Sequence, residues 1–486
     1  MVNKSIWSLS ASTERRDVLT GTITTDTVII GAGLAGVLTA HFLEQAGVDC
    51  VILEAARIGS GQTKNTTAKV TSQHGLIYQD LIESVGKEKA GQYVAANQEA
   101  IRRYKILVDK YRIDCQWETC PAYLYTASDT RKLRQEYEAV KRLGIPAELT
   151  EKTELPCPVK LALKFENQGR FHPLKFLYKI AAGLNIYENT KVKEVREDVV
   201  ITDQGEVHAK HIVFACHYPF QNVPGYYFMR MHQERSYVVS VKQAAALNGM
   251  YYGIDPDALS YRSSGEELLI GGGGHRTGKT PSGSPYEYLS HMAETYWPDC
   301  VETARWSAQD CMTLDHIPYI GQFSHNRPNW YVATGFGKWG MTSSMVSAMI
   351  LTDLICKREN PYAEVFSPLR YNVQASAVNF MKDTGHAAAG LLKRAVWIPK
   401  EKLEQVHAGE GAVVEHDGHK YGVYKSEKGE IYAVSAHCPH LGCQLEWNAH
   451  EKSWDCPCHG SRFDYQGRHL DEPAQEDIAC HRMEGK

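Results

Sequence analysis

Apolar and polar positions change period several times along the chain. Residues 26–54 read as strand, turn, helix, strand. Positions 27–30 are a β-branched run. Positions 34–46 carry helical apolar spacing and stop before Gly47, a good helix C-cap, and 50–53 form a second short apolar strand. Residues 80–145 look mostly helical, rich in Lys, Glu and Arg. Pro156, Pro158 and Pro173 punctuate the next stretch, and 191–216 and 237–274 show strand alternation broken by Gly and Asp. A strand over 329–334 and a helix over 342–356 come next, then a helical, loop-rich connector over 359–396. From about Trp397, short strands with turn signals at Asp417-Gly418 and Lys428-Gly429 predict an all-β module over 397–486.

At 486 residues the chain exceeds one ordinary core and divides into two or three domains. Lys plus Arg number 53 against 57 Asp plus Glu, a net charge of −4, which gives no support for nucleic-acid binding or a basic membrane face. The polar opening residues, with Arg15 and Arg16, lack the apolar stretch of a signal peptide. No uncharged apolar run reaches membrane-spanning length. The expectation is a soluble, cytoplasmic protein without an integral membrane segment.

Of thirteen cysteines, four crowd between Cys438 and Cys458. The others, such as Cys50, Cys216 and Cys356, sit mostly in apolar or strand-like surroundings and read as reduced structural thiols. A Rieske [2Fe–2S] centre gives one iron two Cys and the other two His. It therefore needs two loops, each offering one Cys and one His. Cys438-Pro-His440 and Cys456-Pro-Cys458-His459 meet that demand. A zinc ribbon is the alternative, but it rarely interleaves two further cysteines.

The stretch resembles the Rieske proteins of cytochrome bc complexes. That resemblance implies Cys438 and Cys456 on one iron, His440 and His459 on the other, and a Cys443–Cys458 disulfide joining the loops. It also sets aside the ring-hydroxylating oxygenases, whose Rieske domains lack the extra cysteine pair. Ser461 matches the family's serine that donates a hydrogen bond to the cluster.

Gly31-Ala-Gly33-Leu-Ala-Gly36 follows a strand and opens a helix, and Glu54 ends the next strand. Gly31 allows the tight turn, Gly33 lets the backbone approach a pyrophosphate, and Gly36 lets helix and strand pack closely. Glu54 can bind a ribose hydroxyl pair. The motif alone does not choose between NAD and FAD. Residues 1–358 resemble the D-amino-acid oxidase/glycine oxidase/sarcosine oxidase (DAO) group of FAD enzymes. That resemblance implies an α/β, Rossmann-like, glutathione-reductase-type FAD-binding domain (about 24–75, 170–220 and 310–358). An α+β substrate domain (about 76–169 and 221–309) is interleaved with it. It also implies FAD contacts from Ala55, Arg57, Gly61, the strand ending in Ala215-Cys216, and Val192. Gly335-Phe-Gly337-Lys338-Trp-Gly340, with Met341 and Thr342 at the next helix start, would lie against the flavin ring. Gly271 to Gly274 reads as a strand-end turn.

Many amino-acid-oxidising relatives place a carboxylate-clamping arginine where this chain has Asp310. An aspartate repels a carboxylate and attracts an amine, though a solvated or capping role is open. Asp310, Lys338 and His275 are the candidate catalytic residues, and His172 is a further possible substrate-side histidine. Cys311, in Cys-Met-Thr, loosely resembles the flavin-linking cysteine of monomeric sarcosine oxidase, which leaves the mode of flavin attachment open. The combination predicts an FAD-dependent dehydrogenase of an amine or amino acid that passes electrons through the cluster to an external acceptor. The alternative is an electron-transfer flavo-iron-sulfur protein or redox sensor without a small-molecule substrate.

High-potential Rieske proteins carry a hydrogen-bonding tyrosine where this chain has Phe463, and Phe cannot donate. The midpoint potential is expected below theirs, within the range of roughly −150 to +300 mV. A voltammetric value at the top of that range overturns the expectation.

Overall fold

The computed structural model describes residues 2–279, 281, 283–370, 403–416 and 418–483. Threonine, valine and isoleucine crowd a helix at χ1 and suit a pleated strand. The run Gly21–Ile30 is accordingly one long strand. It lies parallel to Cys50–Leu53 on one side and Gly205–Phe214 on the other. Arg327–Thr334 and Ile186–Tyr187 extend the parallel sheet outward, and Tyr319–Ser324 closes one edge antiparallel. Helices Leu34–Gln45 and Gly340–Ile355 pack on each other against this sheet, and the second is buried almost all round. This is the Rossmann-like layer.

A nine-stranded sheet forms the second layer, from Val301–Thr313 at one edge through Met231–Lys242, Glu267–Arg276 and Ser260–Ser264 towards Leu161–Arg170. Its strands alternate in sequence with those of the first sheet, so the two domains are interleaved. Lys69–Val70 and Val301–Thr313 both belong to this sheet. The chain therefore changes sheets nearer residues 68 and 314 than 75 and 310.

The stretch 80–145 is mostly helical, as expected, but helices Tyr78–Tyr111 and Arg131–Arg142 flank a strand the sequence did not show, Glu118–Thr126. Pro121 cannot sit inside a helix, and here it falls at the register shift between Cys120 and Ala122. One expectation does change: Gly271 to Gly274 are not a turn at a strand end but lie inside Glu267–Arg276. The register slips opposite Arg235 and Tyr237, and Gly273 takes φ +63° there. This is a bulge that glycine accommodates.

Of the expected connector, Ala363–Phe366 form a short helical turn, and everything from 371 to 402 lies outside the described residues. The all-β module beyond it has two four-stranded sheets. Gly418 and Gly429 take positive φ at its predicted turns, while Asp417 lies outside the described residues.

The module docks on the edge of the second sheet through buried charge. Arg235, 2% exposed, grips both oxygens of Glu451 at 2.6 and 3.0 Å. Arg462 reaches Glu451 at 3.1 Å, Asp455 at 2.9 Å and Asp471 at 2.9 Å. Burial alone would raise the Glu451 carboxyl, but the Arg235 and Arg462 guanidiniums overcome it and hold it at about 2. Breaking one side of a buried pair costs about 3–5 kcal/mol, so Glu451→Gln should lower the urea midpoint followed by tryptophan fluorescence. The group's folded value is depressed. Its contribution is therefore complete above the ordinary carboxylate value of about 4.3 and is lost as pH falls towards 2. An unchanged midpoint in the variant, or none of this acid dependence, means the pair does not hold the module.

Candidate functional site

Two loops of the module meet beside the second sheet. One carries Cys438, His440 and Cys443, the other Cys456, Cys458 and His459. Backbone bonds close each loop on itself: Gly442 N donates to Cys438 O at 2.9 Å and Gly460 N to Cys456 O at 3.0 Å. The rings of His440 and His459 stand perpendicular with centroids 4.9 Å apart. Both Nδ1 atoms are buried and have no hydrogen-bond partner among the described residues. Such orphans are costly unless something ligates them. Cys438 and Cys456, buried beside them, face each other. Cys443 and Cys458 lie with their sulfurs at bonding distance and their Cα atoms 6.6 Å apart. Two facing thiols and two imidazole nitrogens, the nitrogens without a partner among the described residues, make up the donor set a [2Fe–2S] Rieske cluster requires.

A cavity of 710 Å³ lies between the two large sheets. Its first wall is the strand–turn–helix at Gly31. A Cβ on Gly31 would sit 2.6 Å from the Ala215 carbonyl oxygen, and one on Gly36 would sit 2.0 Å from the Gly31 oxygen. Both positions therefore need glycine. Helix Leu34–Gln45 starts at Gly33, which offers no capping side chain; the Leu34 amide donates to Thr63 Oγ1 at 3.2 Å, and the helix start, with Gly33, Leu34 and Ala35, lines the cavity, where a helix N-terminus favours an anion. Glu54 is fixed by Ala32 N at 2.8 Å and Ala56 N at 2.9 Å, and each of its oxygens keeps a lone pair for a hydroxyl. Burial pushes its carboxyl up. These groups fit a dinucleotide.

The structure brings Gly31, Gly33, Glu54, Ala55, Gly61, Val192, Asp310, Gly337, Lys338, Gly340 and Met341 to this cavity. Ala215 and Cys216 line it as well, and the other expected residues do not. Gly36 and Gly335 lie behind the wall, and Thr342 is held by His74 at 3.1 Å and the Thr71 carbonyl at 3.3 Å. Arg57 turns away to pair with Glu188 at 2.9 Å. His275 stacks on Tyr237 and meets its hydroxyl at 3.0 Å, outside the lining. His172 is buried and caps Pro173–Ala181 by accepting from Lys175 N at 3.2 Å. Cys311 faces the far side of its strand, with its sulfur 3.6 Å from that of Met231 and its thiol pushed by burial up to about 12. It does not line the cavity.

Lys69, Tyr252, Ser236 and Gln309 also line the cavity and had no local signal in the sequence, while Trp339 lines it from within the loop expected against the flavin ring. Burial and the nearby Arg262 lower the Lys69 ammonium to about 7.

Strand alternation organises the rest. On one face Asp310 accepts from Ser236 Oγ at 2.7 Å and from Lys338 at 3.0 Å, and Lys338 also lies 3.4 Å from Glu234. His232 and Lys338 hold Glu234 at about 2. On the other face Gln309 donates to Gln233 Oε1 and to Gly460 O, both at 2.8 Å. Gln233 in turn donates to His459 O at 2.9 Å and Glu472 O at 2.7 Å.

Residues 26–354 match the FAD dependent oxidoreductase (DAO) family, and 396–482 match the Rieske [2Fe-2S] domain. The chain is 39% identical over 466 residues, 92% of each chain, to YhfW of Bacillus subtilis, a protein named for a Rieske 2Fe-2S iron-sulfur centre. It is 24% identical over 372 residues to gamma-glutamylputrescine oxidoreductase of Escherichia coli, covering 70% of this chain and 85% of that one. Glycine oxidase from Geobacillus kaustophilus shares the fold with a TM-score of 0.59 at 20% identity, over 72% of this chain and 99% of that one. Among the described residues no helix is long and apolar enough to cross a membrane. With both cofactor-binding units matched in one chain, this protein belongs to the DAO family of FAD-dependent oxidoreductases and carries a Rieske domain, and its cofactors are FAD and a [2Fe–2S] cluster.

Proposed function

We propose that the protein is a dehydrogenase that oxidises a C–N bond of an amine, or less favourably an amino acid, and passes the electrons from FAD through the Rieske cluster to an external acceptor. FAD supplies hydride acceptance and the cluster supplies one-electron transfer. The observation that carries the reading is the buried amide pair Gln233–Gln309. Gln309 lines the cavity and bonds to Gly460, and Gln233 bonds to His459, so hydrogen bonds run from the cavity wall to the ligand loop.

In this reading Gly31, Gly33 and the helix start hold the pyrophosphate, Glu54 the ribose, Val192 the adenine side, and Gly337 to Met341 the flavin. Cys438 and Cys456 hold one iron, and His440 and His459 hold the other through Nδ1. His440 Nε2 meets the Asn222 amide oxygen at 2.9 Å, so Nε2 carries the proton and Nδ1 keeps its lone pair for metal. The Cys443–Cys458 bond ties the loops.

The substrate end is electronegative. Lys338 spends its three protons on Ser236, Asp310 and Glu234, at 2.9, 3.0 and 3.4 Å. None is left for a substrate carboxylate. Asp310 lines the cavity, and among the described residues its hydrogen bonds all fall on Oδ2. Two carboxylates against one ammonium attract a protonated amine, and Trp339 and Tyr252, 5.4 Å apart, offer it aromatic walls. The relative named for gamma-glutamylputrescine points the same way.

Anaerobic mixing with amines, polyamines and amino acids tests the whole reading, following flavin absorbance and the reduced-cluster EPR signal together. Bleaching by an amine, followed by growth of the cluster signal, is expected. If dithionite reduces both centres but no compound bleaches the flavin, the dehydrogenase reading falls and the electron carrier replaces it. Asp310→Asn should lower kcat/KM for that amine by roughly 10- to 100-fold, the loss of one charged hydrogen bond. An unchanged kcat/KM removes Asp310 from the substrate site.

A further inference from the structure

One wall of the flavin cavity is built by the Rieske domain itself. After the strand His469–Asp471, the chain runs along the cavity, and His469, Leu470, Asp471, Glu472, Gln475 and Asp477 line it. The segment is fastened at both sides. Gln62 donates to Asp471 Oδ1 at 2.9 Å, and Gln62 stands next to Thr63, whose hydroxyl accepts from the Leu34 amide at 3.2 Å at the helix start. Lys191, beside Val192, donates to the Gln475 carbonyl. Between these points Gln233 holds the Glu472 carbonyl at 2.7 Å. The segment therefore bridges the two stretches that flank the dinucleotide fingerprint.

Glu472 differs from its neighbours. Asp471 is committed to Gln62 and Arg462. The Glu472 carboxyl has only its own backbone amide as a partner, and it lies close enough to Glu54, Cys216 and Lys191 for their charges to interact. All four residues line the cavity.

We propose that the segment from His469 to Asp477 is a clasp over FAD, and that Glu472 supplies a hydrogen bond to the cofactor on the stretch Glu54 also faces. The inference rests on the proposed placement of FAD. Burial and the neighbouring Asp471 push the Glu472 carboxyl up to about 7. Near neutral pH a large fraction is protonated, so it can donate to a hydroxyl or phosphate oxygen with reduced charge repulsion. FAD can then leave only when the Rieske domain lifts. By linkage, bound FAD also strengthens the docking of that domain.

The test uses the full-length protein loaded with both cofactors. FAD release is followed by flavin fluorescence on dilution into a scavenging apoflavoprotein, with the cluster EPR signal as the check on folding. Glu472→Ala should release FAD at least tenfold faster with the cluster signal intact. Glu54→Ala reports on the placement of FAD independently. If Glu54→Ala loosens FAD and Glu472→Ala does not, the clasp is wrong and the placement stands. If neither loosens it, the placement fails and the clasp with it. Amide hydrogen exchange on the wild type, which needs no variant to fold, decides further. Stripping FAD while keeping the cluster should raise exchange across 469–477, and equal exchange with and without FAD overturns the proposal.

Discussion

Successive side chains of a β-strand point to opposite faces, and the pair Met231–Lys242 and Val301–Thr313 makes this property a partition between two redox modules. Glu234, Ser236 and Asp310 meet Lys338 on the cavity side. Gln233, Arg235, Ser307 and Gln309 meet the Rieske domain on the other, where Gln309 also reaches the cavity wall that the Rieske domain builds. One layer of backbone separates the two sets. A one-residue slip in the pairing would exchange every side chain between them, so the register of these two strands fixes the charge group around Lys338 and the docking of the Rieske domain at once.

The docking face is polar, which changes what it can do. Arg235 and Arg462 are buried with Glu451, Asp455 and Asp471. Taking these groups from water is expensive, and their attraction offsets the cost only with near-ideal geometry. The same holds for the two glutamines. Gln309 spends both amide protons on Gln233 and Gly460, and Gln233 spends both on His459 and Glu472. An apolar face of equal area would tolerate sliding. Groups that are costly when unpaired accept one position.

The cluster ligands were legible because each loop is local. Cys438 and His440, or Cys456 and His459, are close in sequence as well as in space. The Gly31 motif was legible for the same reason, since a turn, a helix start and the next strand's acid are all set by short-range geometry. Arg57 does not line the cavity, because its partner, Glu188, arrives from the far end of strand Ile186–Tyr187. The role of Gln233 was invisible. Nothing near it in sequence announces a bond to His459, 226 positions away. Alternation did carry one unused signal: if Asp310 faces the cavity, Cys311 must face away, as it does.

The approach of the two modules is limited finally by the smallest side chains at their contact. Gly278, on the flavoprotein side, packs so that a Cβ would lie 2.4 Å from Pro457 Cα, between Cys456 and Cys458. Gly460, on the Rieske side, packs so that a Cβ would lie 2.6 Å from Gln233 Cβ. Both take positive φ, at +76° and +89°. A side chain at either position is therefore opposed by backbone strain and by collision together. Relief would come by moving the ligand loop off the sheet. That movement would break the Gln233 and Gln309 bonds to His459 and Gly460, and it would draw the segment 469–477 away from the cavity. The polar contacts to the ligand loop and the position of the segment 469–477 thus share one mechanical constraint, close contact between a glycine on each module and the chain opposite it.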